Sequence, residues 1–552
     1  MGLPYDFREI ERRWQARWSR DRQNEVDLDG ADDSRTIYNL VEFPYPSAEG
    51  LHIGHALTYS GADVWGRFQR RLGTTVFQPI GFDAFGINAE NYALRTGQHP
   101  ATLMAATTVN YRRQLEALGG AWSWEATLTT NDPQYYRWTR WVFLRLFHAG
   151  LAYQAEAPVL WCRACQTVLA REQVEANGRC ERCDAQVDER VMRQWFLRIT
   201  AYAERLLAGL DDLDWPESAK NKQRAWIGRS VDENGTVSMR LHDWLISRQR
   251  FWGPPIPIIH CASCGAVPVP DEDLPVVLPE VDDPAAIRPT GSGRSPLANF
   301  PDWVRVPCPR CGAGAERETD VSDTFVDSAW YFLRFPSADV ADRPWDVDRT
   351  RRWLPIDQYA GGPEHVTRHH LYARFVTMAL HDMDLVSFGE PFPRLRVHGM
   401  LTMGGAKMSK SRGNVVNPDE LIADHGADVT RVALLFTRPW DADGDFDPAV
   451  VTGVERFLAR LWRVATGPVG DAGSEHVADT ARRVTADIAE LRFNTAIAAL
   501  MTLIGRLQGR PPAPDVVRAL VSLVAPFAPH VAEELWRGLG EVQSVHTSPW
   551  PG

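Results

Sequence analysis

The sequence predicts an α/β protein: a parallel-sheet domain carrying zinc-ribbon insertions, followed by an all-α helical bundle. Three observations carry this expectation. Strand-like apolar runs alternate with amphipathic helical stretches as far as about Val450. All eight cysteines fall in four Cys-x-x-Cys pairs. Beyond Val451, apolar residues recur only at three- and four-residue spacing, as in "VERFLARLWRVA", "RFNTAIAALMTLIGRL" and "VVRALVSLVAPFAPHVAEELWRGL".

In chain order, "TIYNLVEFPYP" reads as a strand leaving into a loop. "HIGHALTYSGADVWGRFQRRLG" reads as an amphipathic helix stopped by Gly73, and "TTVFQPIGFDAFG" as a second strand and loop. Strand, helix, strand opens a parallel sheet. A helix over "PATLMAATTVNYRRQLEALG" follows. The first cysteine module begins after Tyr153, and a charged helix, "QWFLRITAYAERLLAGL", is predicted to lead away from it. "WLISRQRFWGPPIPIIH" resumes the apolar, aromatic pattern before a second module at about Ile258 to Arg317, in which "DLPVVLPEVDDPAAIRP" reads as a surface loop. "PIDQYAGGPEHVTRHHLYARFVTMAL" reads as strand, Gly-rich turn, helix, and "RLRVHGMLTMGGAKMSKSRGNVVNPDELIADHG" as strand, exposed loop, helix. The expected division is 1–152, 201–257 and 319–450 for the sheet domain, 153–200 and 258–318 for the modules, and 451–552 for the bundle.

Cys162, Cys165, Cys180 and Cys183 have zinc-ribbon spacing: two pairs on tight turns, able to close a tetrahedral Zn²⁺ site. Cys261, Cys264, Cys308 and Cys311 are more widely separated, but a glycine after each pair suits a knuckle turn. Four sulfurs leave no open coordination position, so both sites are expected to be structural. Disulfides are the competing reading, and a large cytoplasmic chain argues against them. No pair sits in the strand-to-helix context of a redox motif.

The balance of 44% hydrophobic and 24% charged residues is that of a globular protein. No apolar run reaches membrane-span length, and the charged, Trp-containing N-terminus lacks a signal-peptide core, so a cytoplasmic protein is expected. "MGLPYD" lacks the Ser/Thr of a myristoylation site. A net charge of -11 argues against a broad nucleic-acid coat. It leaves two local basic segments, Arg349 to Trp353 and Lys220 to Arg229, for which a solvated charged face is an equal reading.

Two short motifs suggest chemistry. In "HIGH", His52 and His55 flank Gly54 at a helix start, where free N–H groups and a partial positive charge suit a phosphate. The glycine would let a substrate approach the backbone. Taken alone, two structural histidines explain it equally well. "KMSKS" places Lys407 and Lys410 on a Gly-flanked loop, able to fold over a polyphosphate and neutralise charge that builds during transfer. A solvated basic loop explains the lysines but not their pairing with the histidine turn.

With both motifs in this order, the chain resembles the class I aminoacyl-tRNA synthetases, and among them the leucyl-tRNA synthetases. The likeness extends through "FPYPS", "GLHIGH", "PIGFDAFG", "WCRACQTVLAREQV", "QWFLRIT", "WIGRS", "SRQRFWGPPIP", "DTFVDSAWY", "YAGGPEH", "KMSKSRGN", "RFNTAIAAL" and "APFAPHVAEELW". It implies a Rossmann-type catalytic domain that activates leucine with ATP and Mg²⁺, then passes it to the 2′-OH at the end of tRNA(Leu). The tail would be a helical anticodon-binding domain, and the enzyme a monomer. His52 and His55 would contact the ATP phosphates, with Gly54, Met408 and Ser409 beside them. Lys407 and Lys410 would stabilise the pentacovalent phosphate and the leaving pyrophosphate. Gly361, Gly362, Glu364, His398, Gly399 and Met400 would hold the adenosine. Asp83 would pair with the substrate ammonium. Phe43, Tyr45, Phe325, Ser328, Tyr359, His365 and His369 would shape the leucine pocket, although each of these aromatics alone reads equally as core.

The chain departs from that family in three segments. Only "VDENGTVSMR" joins Ser230 to Leu241, where a hydrolytic editing domain would lie. "GMLTMGGAKMSKS" leaves no room for a module before the lysine loop, and the chain stops at "SVHTSPWPG", where a small C-terminal domain is expected. Point departures are Glu42, Ala48, Phe82 and the stretch Ile87 to Glu90, of which Glu42 and Asn88 add polarity near the amino-acid pocket and allow a leucine analogue. Three readings follow. The first is a compact leucine–tRNA ligase, a paralogue beside a full-length enzyme. The second forms the adenylate but passes leucine to a carrier-protein thiol or a small amine. The third is a non-catalytic tRNA-binding protein, against which the intact phosphate motifs argue.

Overall fold

Four parallel strands build the central sheet: β1 (Thr36–Val41), β2 (Thr75–Phe77), β3 (Gln358–Gly361) and β4 (Leu395–Val397), in spatial order β4-β3-β1-β2. The structure, a computed structural model, describes residues 3–30, 35–46, 50–175, 177–407 and 416–551. β1 pairs with β2 on one side, Thr36 opposite Thr75, and with β3 on the other, Leu40 opposite Tyr359. Strand order therefore reverses at β1. In such sheets ligands bind in the crevice beyond the carboxyl ends of the strands at that point.

β1 is buried on both faces, as a strand with cover on each side must be. Tyr38 and Leu40 enter one apolar core and Ile37 and Val41 the other. Between them the buried Asn39 amide nitrogen donates to the Ala62 carbonyl (2.9 Å) and the Gln78 side-chain oxygen (2.7 Å). The predicted helix after β1 is α1 (Ile53–Arg71), and Gly73 follows it with φ +86°. After β3 comes α2 (His369–Asp382).

The first cysteine module is an antiparallel sheet of Ala152–Cys162, Thr167–Leu169 and Val187–Leu197, with Trp244–Leu245 at its edge. This corrects the helix predicted from Gln194. Gln194 to Leu197 finish the long third strand, opposite Ala155 to Ala152, and an α-helix forms only over Ala203–Ala208. Trp195 and Leu197 are buried at strand spacing, and their pairing partner lies some forty residues upstream, beyond the reach of a local pattern. In the second module, Ile258–Cys261 pairs with Gly265–Pro268 and Arg305–Pro307 with Gly314–Arg317, each cysteine pair lying at a hairpin turn. The intervening segment is not the free surface loop its composition suggested: Leu274, Val276 and Ile287 are buried against the main core. Where the editing insertion would lie, a short exposed hairpin of Ser230–Val231 and Val237–Ser238 closes the chain.

Five helices, Ala449–Thr466, Ser474–Ala489, Phe493–Arg506, Pro514–Val524 and Pro529–Gly538, form the bundle. Their core is continuous with that of α1, through residues such as Trp65, Trp440, Phe493 and Leu500. A buried charge network reinforces this junction. Asp63 accepts from Arg67 Nε (2.9 Å), Arg431 (2.6 Å) and the Ala121 N–H (2.7 Å). Burial would raise its pKa, but the Arg67 and Arg431 guanidiniums hold it down at about 2. Arg431→Met leaves Asp63 paired with Arg67 but strips the donor from the buried carbonyls of Leu118, Pro526 and Phe527, so it should cost about 1–3 kcal/mol, read as a lower urea midpoint.

Of the two basic segments, Arg349 is paired with Asp29 and Asp339, Arg224 with Asp211 and Glu217, and Arg229 with Glu204. These arginines lie on a charge-balanced face. Among the described residues, no helix is long and apolar enough to cross a membrane.

Candidate active site

α1 starts beyond the carboxyl end of β1, with His52 as its N-cap. His52 Nδ1 accepts from the N–H groups of Gly54 (3.1 Å) and His55 (3.3 Å), while His55 Nδ1 accepts from the His52 N–H (3.3 Å). The two rings stack with centroids 3.7 Å apart. A Cβ on Gly54 would come within 2.8 Å of the His52 ring, so what the glycine admits here is that folded-back imidazole. Burial, with His52 alongside, holds His55 well below the ordinary imidazole range, so it is neutral at pH 7.

A cavity of about 770 Å³ opens beside this helix start. Its lining brings together Phe43, Tyr45, His55, Asp83, Phe325, Ser328, Tyr359, His365 and His369. Phe43 stacks on Tyr331 (centroids 4.4 Å), and the Tyr331 and Tyr359 hydroxyls lie 3.2 Å apart. The Tyr45 hydroxyl accepts from the Ala89 N–H (3.3 Å). Gly86, at φ +112°, is required beside it: a Cβ there would be 2.8 Å from that oxygen. His369 is buried and neutral, pushed down to about 3 by burial and by His365.

Asp83 is a buried carboxyl group of this cavity. Its Oδ1 accepts from the hydroxyls of Thr130 (3.1 Å) and Thr324 (2.9 Å). Thr130 is itself fixed, because its oxygen accepts from the N–H groups of Ala84 (2.8 Å) and Phe85 (3.3 Å). Burial raises Asp83 to about 7 in spite of these hydrogen bonds. A carboxylate in that state gains from a cationic partner.

Beside this cavity, the carboxyl ends of β3 and β4 meet. The His398 N–H donates to the Gly361 carbonyl (3.2 Å), and the Gly362 N–H donates to Glu42 (2.8 Å). Glu364 folds back over Gly362, where a Cβ would lie 2.5 Å from its Oε2. Gly399 packs against the backbone of Ala442, which a Cβ would strike, and the Met400 N–H donates to Asp443 (2.7 Å). The Lys407 backbone pairs with Thr402. Its side chain, Met408, Ser409 and Lys410 lie outside the described residues, as does Ala48.

A cavity lined by carboxylates, aromatic rings and His55 of the helix start suits a small amine; His52, Gly361, Gly362, Glu364, His398, Gly399 and Met400 lie outside its lining, the glycine turn reached through Glu42. Comparison with known proteins gives the same direction. The family profile "tRNA synthetases class I (I, L, M and V)" matches residues 13–443. The chain belongs to the class I tRNA synthetases. A second profile, "Anticodon-binding domain of tRNA ligase", matches residues 512–552 of this synthetase. It is 36% identical to the leucine–tRNA ligase of Rubrobacter xylanophilus, over 99% of this chain and 90% of that one. To the leucine–tRNA ligase of Caldanaerobacter subterraneus it is 34% identical, over 98% and 90%. That second alignment runs over 749 positions although the synthetase has 552 residues, so the relative carries segments with no counterpart here. A crystal structure of an Agrobacterium radiobacter LeuRS in ternary complex with tRNA and LeuAMS superposes with TM-score 0.91 at 31% identity, covering 99% of this chain and 90% of that one. Mycobacterium tuberculosis methionyl-tRNA synthetase, at 21% identity and TM-score 0.66, shares the fold.

Both cysteine clusters of the synthetase fit a tetrahedral metal. In each, the four sulfurs lie within 4.8 Å of one another. Sulfur–sulfur distances are 3.4 Å (Cys162–Cys183), 3.6 Å (Cys165–Cys183) and 3.9 Å (Cys165–Cys180) in the first and 3.6 Å (Cys261–Cys311) in the second. Zinc–sulfur bonds of about 2.3 Å give tetrahedron edges of about 3.8 Å, whereas a disulfide needs about 2.05 Å.

Sequence reasoning missed how the first module reaches the site. Glu181, Arg182 and Cys183 line the amino-acid cavity. Arg368 at the start of α2 binds the Glu181 carboxylate (2.6 Å) and the Glu172 carbonyl (2.5 Å), and the Tyr372 hydroxyl meets the Glu172 carboxylate. No local signal marks these contacts, which join segments nearly two hundred residues apart. Glu42 and Asn88, expected to add polarity near the amino-acid pocket, both line this cavity, and Glu42 also accepts from the Gly362 N–H.

Proposed function

We propose that this chain is a leucine–tRNA ligase without the hydrolytic editing insertion. It activates leucine with ATP to leucyl-adenylate and pyrophosphate, then transfers the leucyl group to tRNA(Leu). The observation that carries the reading is one cavity that places Asp83 and an aromatic wall beside His55 of the helix start and Glu42, which holds the Gly361–Gly362 turn. Asp83 would take the leucine ammonium, with Phe43, Tyr45, Phe325, Ser328, Tyr359, His365 and His369 around the isobutyl group. His52, Gly54 and His55 would face the phosphates, with Gly361, Gly362, Glu364, His398, Gly399 and Met400 toward the adenosine. The substrate carboxylate is itself the nucleophile at the α-phosphorus, so the protein contributes positioning and charge stabilisation rather than a nucleophile of its own. Lys407 and Lys410 would supply positive charge to the leaving pyrophosphate. Mg²⁺ would travel with the ATP phosphates, and Zn²⁺ would hold the two cysteine modules as structural ions. A cytoplasmic monomer fits this reading.

The deciding experiment incubates the protein with labelled leucine and ATP–Mg²⁺, with and without tRNA, and separates leucyl-adenylate from leucyl-tRNA. Label on tRNA is expected; adenylate with no tRNA product would overturn the acceptor. No observation in the structure favours a carrier protein or amine instead. Without an editing site, a pocket that distinguishes one methylene by about 1–3 kcal/mol should also charge norvaline and leave it on the tRNA. Rapid deacylation of norvalyl-tRNA by this protein would contradict that expectation.

A further inference from the structure

Glu42 is the first residue after β1, and it touches every strand end that would face the nucleotide. Its N–H donates to the Ala360 carbonyl of β3 (2.9 Å), which extends the β1–β3 ladder by one rung. Its Oε2 accepts from the Gly362 N–H (2.8 Å). Its Oε1 lies 3.8 Å from His398 Nε2, beyond β4, and its Oε2 lies 3.8 Å from His365 Nε2. One carboxylate thus spans β1, the glycine turn after β3 and the histidine after β4, at the point where strand order reverses.

We propose that Glu42 is a positioning residue for the nucleotide: it clips the Gly361–Gly362 turn to the end of β1 and sets its carboxylate beside His398. The inference rests on the ligase reading for its substrate but on geometry for its mechanism. A carboxylate in an anion-binding crevice would repel phosphate if it stood alone. Here its charge is turned to the Gly362 N–H, with the His398 and His365 imidazoles close by.

The surroundings agree. Burial opposes ionisation of Glu42, but His398, then His365, hold it well below the usual carboxylate range. Burial would deprotonate His398, but Glu42, with help from the Gly399 carbonyl and Glu364, raises it above an ordinary histidine. The other groups facing the pair are the hydroxyls of Tyr59, Tyr331 and Tyr359, all neutral at physiological pH. Trp440 covers the His398 ring, with centroids 5.9 Å apart. Of the two imidazoles 3.8 Å from the carboxylate, His398 is the one whose protonation Glu42 favours.

The test is Glu42→Gln, which keeps an acceptor for the Gly362 N–H and removes only the charge. Histidine-labelled full-length protein, with the His398 signal assigned by comparison with His398→Gln, gives a readout independent of catalysis. The His398 titration should move down by about one pH unit or more in Glu42→Gln. In leucine-dependent ATP–pyrophosphate exchange, KM for ATP should rise about tenfold at a pH between the His398 titrations of the two proteins, and much less at a pH below both, where His398 is protonated in either. In a His398→Gln background, Glu42→Gln should add little. An unmoved His398 titration, a shift in leucine KM instead of ATP KM, or an equal ATP effect at both pH values would overturn the proposal. Absence of leucine-dependent exchange in the unaltered protein would instead refute the ligase reading, with the titration still deciding the Glu42–His398 coupling.

Discussion

Asp83→Asn is expected to lower kcat/KM for leucine in ATP–pyrophosphate exchange by about 10²–10³-fold, since truncating one charge of a buried pair costs about 2–5 kcal/mol. The loss should fall mainly on KM, because the ammonium is bound alike before and during adenylate formation. The fold should survive. Asparagine can keep its oxygen toward Thr130 and Thr324, and Thr130 stays anchored by Ala84 and Phe85. The unaltered protein should also show a characteristic pH profile. Burial places the empty-site Asp83 at about 7. Leucine binding favours its ionised form, so binding below that pH must release a proton. Leucine kcat/KM should therefore be flat above pH 7 and fall toward tenfold per pH unit below it. In Asp83→Asn this slope should vanish. A profile unchanged by the substitution would mean that another group holds the ammonium.

Removing zinc from the first cysteine cluster should have the second large effect. Cys180→Ser is expected to reduce bound zinc from two ions per chain to one and to expose residues between Cys162 and Val187 to protease. The cluster's own apolar core is only Cys162, Cys165, Cys180 and Leu169, with a few half-buried neighbours. Structural zinc contributes on the order of 10 kcal/mol to small domains, more than such a core can replace. Because Glu181, Arg182 and Cys183 line the cavity, KM for leucine should rise with the loss of metal. Cys308→Ser should remove the other ion and leave leucine KM nearly unchanged, since none of its cluster lines that cavity. Equal effects of both substitutions would show that the first module does not shape the amino-acid site.

Much of the candidate site was legible because its parts are local. The histidine pair needs only a helix start, and its capping geometry involves residues 52–55 alone. The cysteine pairs announce a tetrahedral site through spacing. Gly361 and Gly362 mark a turn that chain direction requires at the end of a strand. What stayed hidden depends on distant partners. The strand over Gln194 to Leu197 looked helical until its pairing with Ala152 to Ala155 supplied the ladder. The Thr130 and Thr324 hydroxyls on Asp83 come from segments 47 and 241 residues away.

By itself, then, the sequence determined the alternation of strands and helices, the helical tail, the two thiol clusters, the motifs and the short hairpin at the insertion point, because each is written in contiguous periodicity or spacing. Only the tertiary structure decided which charges are live. Burial raises Asp83, two guanidiniums lower Asp63, and Glu42 turns from an isolated polar substitution into the carboxylate joining β1, β3 and His398. The reason is physical: a side chain's ionisation follows from the dielectric and the partners around it, and those are assembled across hundreds of residues when the chain folds.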